Sequence, residues 1–194
     1  MRNRIKNRGI ALLLIGIVFV LMGVFLAVHY ASFIFLGKTV DLNEVLKNGE
    51  ELPQGEFVSY TCEYPIGNYC ELQTYINGII PTPSKSQLYA MMDEYDGKGL
   101  IFSAKVNNKN KIKEFNRVVN GQTESVTVVG SLDTIVNYDA SQYLKNSCSN
   151  IEGDVVLTEF VIDSTKTRFS QIALCIFAIA LGVFCLVTFI KKKR

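Results

Sequence analysis

The chain has a single histidine, His29, and it lies inside an uncharged apolar run. The rest of the sequence therefore has no imidazole to act as base for a Ser–His or Cys–His nucleophile. Metal ligands are scarce as well. Only Cys62, Cys70 and Cys148 lie outside the apolar runs and no Cys-x-x-Cys pair occurs, so the usual zinc set is missing. A phosphate-cradling loop is missing too, because Asp96-Gly97-Lys98-Gly99 lacks the upstream glycine. Asp93, Glu94 and Asp96 fail as an EF-hand on spacing: with Gly97 sixth in the loop, Met92 would be first and Ser103 twelfth. These absences set an expectation of no catalytic residues, no cofactor and no metal. Neither end of the chain carries an acidic residue, since all 18 Asp and Glu lie between two apolar runs.

Those runs are what the chain does have. Gly9 to Leu36 and Ile172 to Ile190 contain no formal charge. A helix rises about 1.5 Å per residue, so about 20 apolar residues cross a hydrocarbon core of about 30 Å. Both runs read as transmembrane helices, because a backbone in lipid has to satisfy its own hydrogen bonds. Arg2, Arg4, Lys6 and Arg8 precede the first run, and Lys191, Lys192, Lys193 and Arg194 follow the second. Basic flanks stay cytoplasmic. The expected layout is a cytoplasmic tail at 1–8, a first span at 9–36, an extracytoplasmic domain at 37–168, a second span at 169–190 and a cytoplasmic tail at 191–194. The protein is thus expected in the cell membrane, multi-pass, with the lipid bilayer as its first partner. A cleaved signal peptide fits less well, since signal apolar regions run about 7–15 residues.

Gly9, Gly16 and Gly23 recur every seven residues along the first span, and Ala27 follows at small-xxx-small spacing. Ala178 and Gly182 repeat that spacing in the second. The pattern reads as a helix-packing face, within one chain or between copies, with ordinary glycine tolerance in lipid as the alternative. His29 and Tyr30 read as an amphipathic pair at the outer headgroups. Cys175 and Cys185 read as small apolar fillers.

The middle segment has the size of one domain and no internal repeat. Val40 to Lys47 reads as a helix capped by Asp41 and stopped at Asn48-Gly49. Phe57–Cys62 and Cys70–Ile76 alternate and read as two strands of a hairpin. Leu88–Met92 and Leu100–Val106 read as a second hairpin, turning through Asp93 to Lys98, and Pro81-Thr82-Pro83-Ser84 as a loop. Lys109–Val119 has helical spacing that buries Ile112, Phe115 and Val119. Val126–Ile135 reads as a strand bent at Gly130. Asp139 is expected to cap a helix burying Ala140, Tyr143 and Leu144, and Val155–Ile162 reads as the last strand. The fold class is therefore two transmembrane α-helices flanking an extracytoplasmic β-rich α+β domain. An OB-like small barrel with two short helices is the first expectation, and an open α+β sheet the alternative.

Part of this segment resembles a known family. The order is Leu88-Tyr89-Ala90-Met91-Met92, an Asp96-Gly97-Lys98 turn, a strand ending Ala104-Lys105-Val106, a Lys-rich helix, and Val126-Thr127-Val128-Val129-Gly130-Ser131-Leu132. It is similar to an uncharacterised family of small two-span Firmicutes membrane proteins with an OB-like extracytoplasmic domain. The resemblance implies a location and an architecture, and no activity.

Among side chains with chemistry, Cys62 and Cys70 flank what reads as a turn and are the favoured disulfide, with Cys148 competing for either partner. Lys109, Lys111, Lys113 and Arg117 make a basic patch suited to anion docking, or simply a solvated helix face. Tyr60, Tyr64, Tyr69, Tyr75 and Tyr89 cluster around the first strands, as a ligand platform or as cross-strand pairs. Nucleic acid is excluded, because the middle segment is net acidic. The absence of any Asn-x-Ser/Thr sequon fits a bacterial surface. The leading expectation is a non-enzymatic outer domain that binds a membrane or envelope protein partner, with homo-oligomers allowed. The alternatives are an accessory subunit of a transporter or secretion complex docking through the glycine face, and a hydrolase using Asp93 and Asp96.

Overall fold

The computed structural model describes residues 2–76 and 80–193. Along the chain run α1 (Arg2–His29), a π-helical turn (Ser32–Leu36), β1 (Val40–Asp41), α2 (Leu42–Asn48), β2 (Phe57–Cys62) and β3 (Pro65–Ile76). Then follow β4 (Ile80–Tyr95), β5 (Lys98–Val106), α3 (Lys109–Val119), β6 (Val126–Thr134), α4 (Tyr138–Cys148), β7 (Val155–Asp163) and α5 (Arg168–Lys193). The chain divides into two units. One is Met1–Lys38 with Thr167–Arg194, and the other is Thr39–Lys166.

The first unit is the pair α1 and α5, each long and apolar enough to cross a membrane. Leu14, Val18, Leu21, Phe25 and Val28 on α1, and Phe177 and Phe184 on α5, leave large apolar surfaces exposed. Between the helices the backbones approach closely. A Cβ placed on Gly182 would stand 2.6 Å from Val20 Cγ2 and 2.8 Å from the Gly16 carbonyl oxygen. One on Gly23 would stand 2.7 Å from Ile179 Cγ1. Only residues without a side chain permit that distance. At the other end, Arg168 donates from Nε to the Ile34 carbonyl at 2.7 Å and from Nη2 to the Phe35 carbonyl at 2.8 Å. It thereby satisfies carbonyls that a helix end leaves without partners.

The second unit is a mixed seven-stranded sheet in the order β1-β2-β6-β7-β5-β4-β3. The OB-like barrel is overturned, because the sheet is open. The outermost strands β1 and β3 share no ladder; β1 has two residues, and β3 carries three register shifts against β4. Helices also cover both faces. Leu42, Val45 and Leu46 of α2 and Phe115 and Val118 of α3 join one core with Tyr60, Tyr89, Met91, Phe102 and Ile162. Leu144 and Cys148 of α4 pack with Ala90 and Ile101 on the other side. The alternation Tyr89, Ala90, Met91 along β4 divides these two cores, as a strand's period of two requires. Two strand pairs are parallel, β1–β2 and β5–β7.

Other details depart from the sequence reading for local reasons. β2 pairs with β1 and β6 and β3 pairs with β4, so Phe57–Cys62 and Cys70–Ile76 form no hairpin. The β4–β5 turn is only Asp96-Gly97, both at positive φ, which two-residue hairpins need and glycine supplies without strain. Pro81 to Ser84 lie within β4 rather than in a loop. That stretch projects beyond the residues paired with β5 and is laddered only to β3, so on the β5 side a missing N–H costs no ladder bond. β6 runs through Gly130 without a register shift. The glycine is needed for contact instead, since a Cβ there would stand 2.5 Å from the Asp163 carbonyl oxygen. On α3 it is Val118, not Val119, that is buried. On α4, Asn137 rather than Asp139 is the cap, accepting from the Ala140 N–H, and Tyr143 is exposed.

Candidate functional site

On the α4 side of the sheet, aligned residues on five neighbouring strands form a row: Ser131 on β6, Asp163 on β7, Lys105 on β5, Leu88 on β4 and Cys70 on β3. The row changes character midway, from polar to apolar. Ala140 of α4 packs over Leu88 and Val161, with Leu72 and Ile135 against them. The helix leaves the polar end uncovered. The result is a cavity of about 420 Å³ whose apolar lining is Leu72, Leu88, Ile135, Ala140 and Val161. Lys105, Asp133, Asp163 and Lys166 line it beside them.

The four charges form two ion pairs. Lys105 Nζ donates to Asp163 Oδ2 at 2.9 Å, and Lys166 Nζ donates to Asp133 Oδ2 at 2.7 Å. The first pair is the inner one. Thr165 gives Asp163 both its backbone N–H and its hydroxyl. Burial of Asp163 disfavours its charge, but the hydrogen bonds from Thr165 and Lys105 outweigh that and hold its carboxyl below the usual carboxylate range. The second pair is more open, with the side chains of Lys166 and Asp133 41% and 27% exposed. Ser131 Oγ donates to the remaining Asp133 oxygen at 3.2 Å. An apolar lining with a few convergent polar groups is the common composition of a small-molecule site.

Of the candidate site residues singled out from the sequence, Cys70 falls on this row, and none of those described lines the cavity. All five cysteines are free thiols. Cys62 belongs to the core under α2 and α3, whereas Cys70 packs on the opposite face near Ala140, so the hairpin that would have juxtaposed them is absent. Burial pushes the Cys62 thiol up to about 12 and also raises Cys70 and Cys148, which makes them poor nucleophiles. On α3, Lys109, Lys113 and Arg117 are exposed at i, i+4, i+8 spacing and so share a face, while Lys111 pairs with Glu114. Tyr60 donates to Asp93 at 2.9 Å, and the Glu94 N–H donates to the other Asp93 oxygen. Asp93 is thus engaged at both oxygens, and Asp96 is exposed in the turn. Tyr69 shares a hydrogen bond with Ser103 at 2.8 Å, and its hydroxyl is pushed up to about 12, mainly by burial. Tyr89 stacks on Phe115. Tyr64 is exposed, and the Tyr75 side chain lies outside the described residues. Gly16, Gly23 and Gly182 lie at the α1–α5 contact and Ala178 is buried on α5; Ala27 is half-buried, and the surroundings of Gly9 lie outside the described side chains.

Sequence reasoning passed over Lys105, Asp133, Asp163 and Lys166. Lys105, Asp133 and Asp163 each stand near the C-terminal end of an apolar strand, as in Val161-Ile162-Asp163, whereas Lys166 follows β7 and carries no such pattern. Comparison with protein-family models, curated proteins and solved structures finds no match.

Proposed function

We propose that this is a two-span protein of the cell membrane that holds a non-enzymatic binding domain, Thr39–Lys166, on the extracytoplasmic side. The location rests on the basic residues at the outer ends of α1 and α5 and on the confinement of acidic residues to the segment between them. A phosphatase fused after Arg194 is expected to be inactive in cells, and a fluorescent protein at the same place to be bright. An active phosphatase there would reverse the orientation.

The observation that carries the binding reading is the divided lining of the cavity, apolar at Leu72 and Leu88 and charged at Lys166 and Asp133. Native mass spectrometry of the full chain, released from maltoside micelles after purification from its own membrane, is expected to show a bound small molecule. Leu72→Trp, which narrows the cavity, should remove that mass while leaving the circular dichroism spectrum unchanged. Identical unliganded spectra for both proteins would sink the reading. A protein or envelope partner would then dock outside the cavity.

An accessory-subunit role through the glycine face is the weaker reading, because Gly16, Gly23 and Gly182 already meet the neighbouring helix of the same chain. The Asp93–Asp96 hydrolase is weaker again, given the engaged oxygens of Asp93.

A further inference from the structure

We infer that the cavity takes a small zwitterion: an ammonium and an anionic group a few atoms apart, attached to an apolar body. The inference rests on the binding reading above and adds the chemical class. Its basis is the charge balance of the site. Two lysines and two aspartates line the cavity, and each lysine already has an aspartate. An anion bridged to Lys166 would draw the ammonium from Asp133 and leave that carboxylate beside a like charge. A cation on Asp133 would strand Lys166 in the same way. Leaving a half-buried charge without its counter-ion is the costly outcome at such a place. A ligand carrying both signs avoids it, since its anion takes Lys166 while its ammonium takes Asp133.

The outer pair is the one built to open. Lys105–Asp163 is fastened by Thr165 and has its carboxylate only 12% exposed. Lys166–Asp133 is more exposed, and the hydrogen bond from Ser131 stays with Asp133 when the lysine moves. Beside it lie Ile135, Ala140 and Val161, which would receive the apolar body. Size restricts the body further. About 420 Å³ is near the small end of the roughly 300–1,000 Å³ usual for small-molecule sites. That suits an aromatic or branched amino acid, or a zwitterionic lipid headgroup with a short apolar stub, the rest of a two-chain lipid staying outside the cavity.

The test is isothermal titration of the full chain in maltoside micelles with L-phenylalanine, N-acetyl-L-phenylalanine and L-phenylalaninamide. These probes share the apolar body and carry both charges, the anion only and the cation only. A fourth arm uses dihexanoyl phosphatidylethanolamine, with blank micelles subtracted. At least one of the two zwitterions is expected to saturate one site per chain, with the single-charge probes at least tenfold weaker. Phenylalanine alone would assign a free amino acid, and the lipid alone a headgroup. Lys166→Met and Asp133→Asn should each weaken the zwitterion at least tenfold, whereas Lys47→Met should not. If both zwitterions fail, if a single-charge probe binds within tenfold of them, or if Lys166→Met and Asp133→Asn bind the zwitterion as tightly as Lys47→Met does, the inference is overturned. That result beside a bound mass in the native spectra removes the ligand class and leaves the binding reading standing.

Discussion

Asp163 receives Lys105 on one oxygen and the Thr165 backbone and hydroxyl on the other, and its own backbone lies against Gly130. Because these bonds lower its folded pKa below the unfolded value of about 3.9, they stabilise the fold above that pH. The contribution falls away as the pH drops through the folded value. Asp163→Asn is expected to cost about 1.5–3 kcal/mol at pH 7, the range for a lost hydrogen bond to a charged group. The difference in melting temperature between wild type and variant should shrink between pH 5 and pH 3, read by circular dichroism. A difference that held constant to pH 3 would deny Asp163 its charge in the fold. Residue identities of this kind were only half legible. Lys105 alternates visibly away from the apolar face of β5, but its partner is 58 positions later and on a parallel strand, so no local pattern joins them. Gly130 misled for a related reason: the backbone it accommodates belongs to another strand.

At the scale of elements, periodicity located most strands and helices, and the misses lie where tertiary contact decides. Pro81 and Pro83 signal a loop from any local viewpoint, yet β4 has room for them beyond β5. The apolar length of α1 and α5 is legible directly, and the heptad spacing of Gly16 and Gly23 places them on one face of α1. Their counterpart in the structure is Gly182 with its neighbours Ile179 and Leu186. Gly182→Leu would drive a side chain into Val20 and the Gly16 carbonyl, and neither can yield without the helices parting. Spin labels placed on α1 and α5 in micelles should report a longer and broader interhelical distance in this variant. Val18→Leu makes a useful comparison, since Val18 is exposed on α1 and its replacement should leave that distance unchanged. An unaltered distance in Gly182→Leu would mean that the small residues do not set the approach.

At the scale of the whole molecule, strand order was the least legible feature. β5 and β7 lie side by side and parallel, yet α3, β6 and α4 intervene in the chain, and a parallel pair always needs such a crossover. Local alternation says that a strand is half-buried or covered on both faces; it does not name the neighbour. A barrel and an open sheet can therefore share one list of strands. What separates them here is that helices occupy both faces, which requires apolar residues at both alternations of β4 and β5 (Tyr89 and Ala90, Ile101 and Phe102). Those doubly apolar strands were present in the sequence and argue against a barrel with a wet exterior. The same covered faces bear on autonomy. Every buried apolar residue of the two sheet cores lies between Leu42 and Ile162, inside the unit Thr39–Lys166. A fragment spanning 39–166, without either apolar helix, is expected to be soluble and to melt in one cooperative transition, the behaviour of a domain with its own core. Thermal circular dichroism checks it directly. A gradual, non-cooperative loss of signal would mean that the sheet depends on the helix pair, so that the binding domain and its anchor fold as one body.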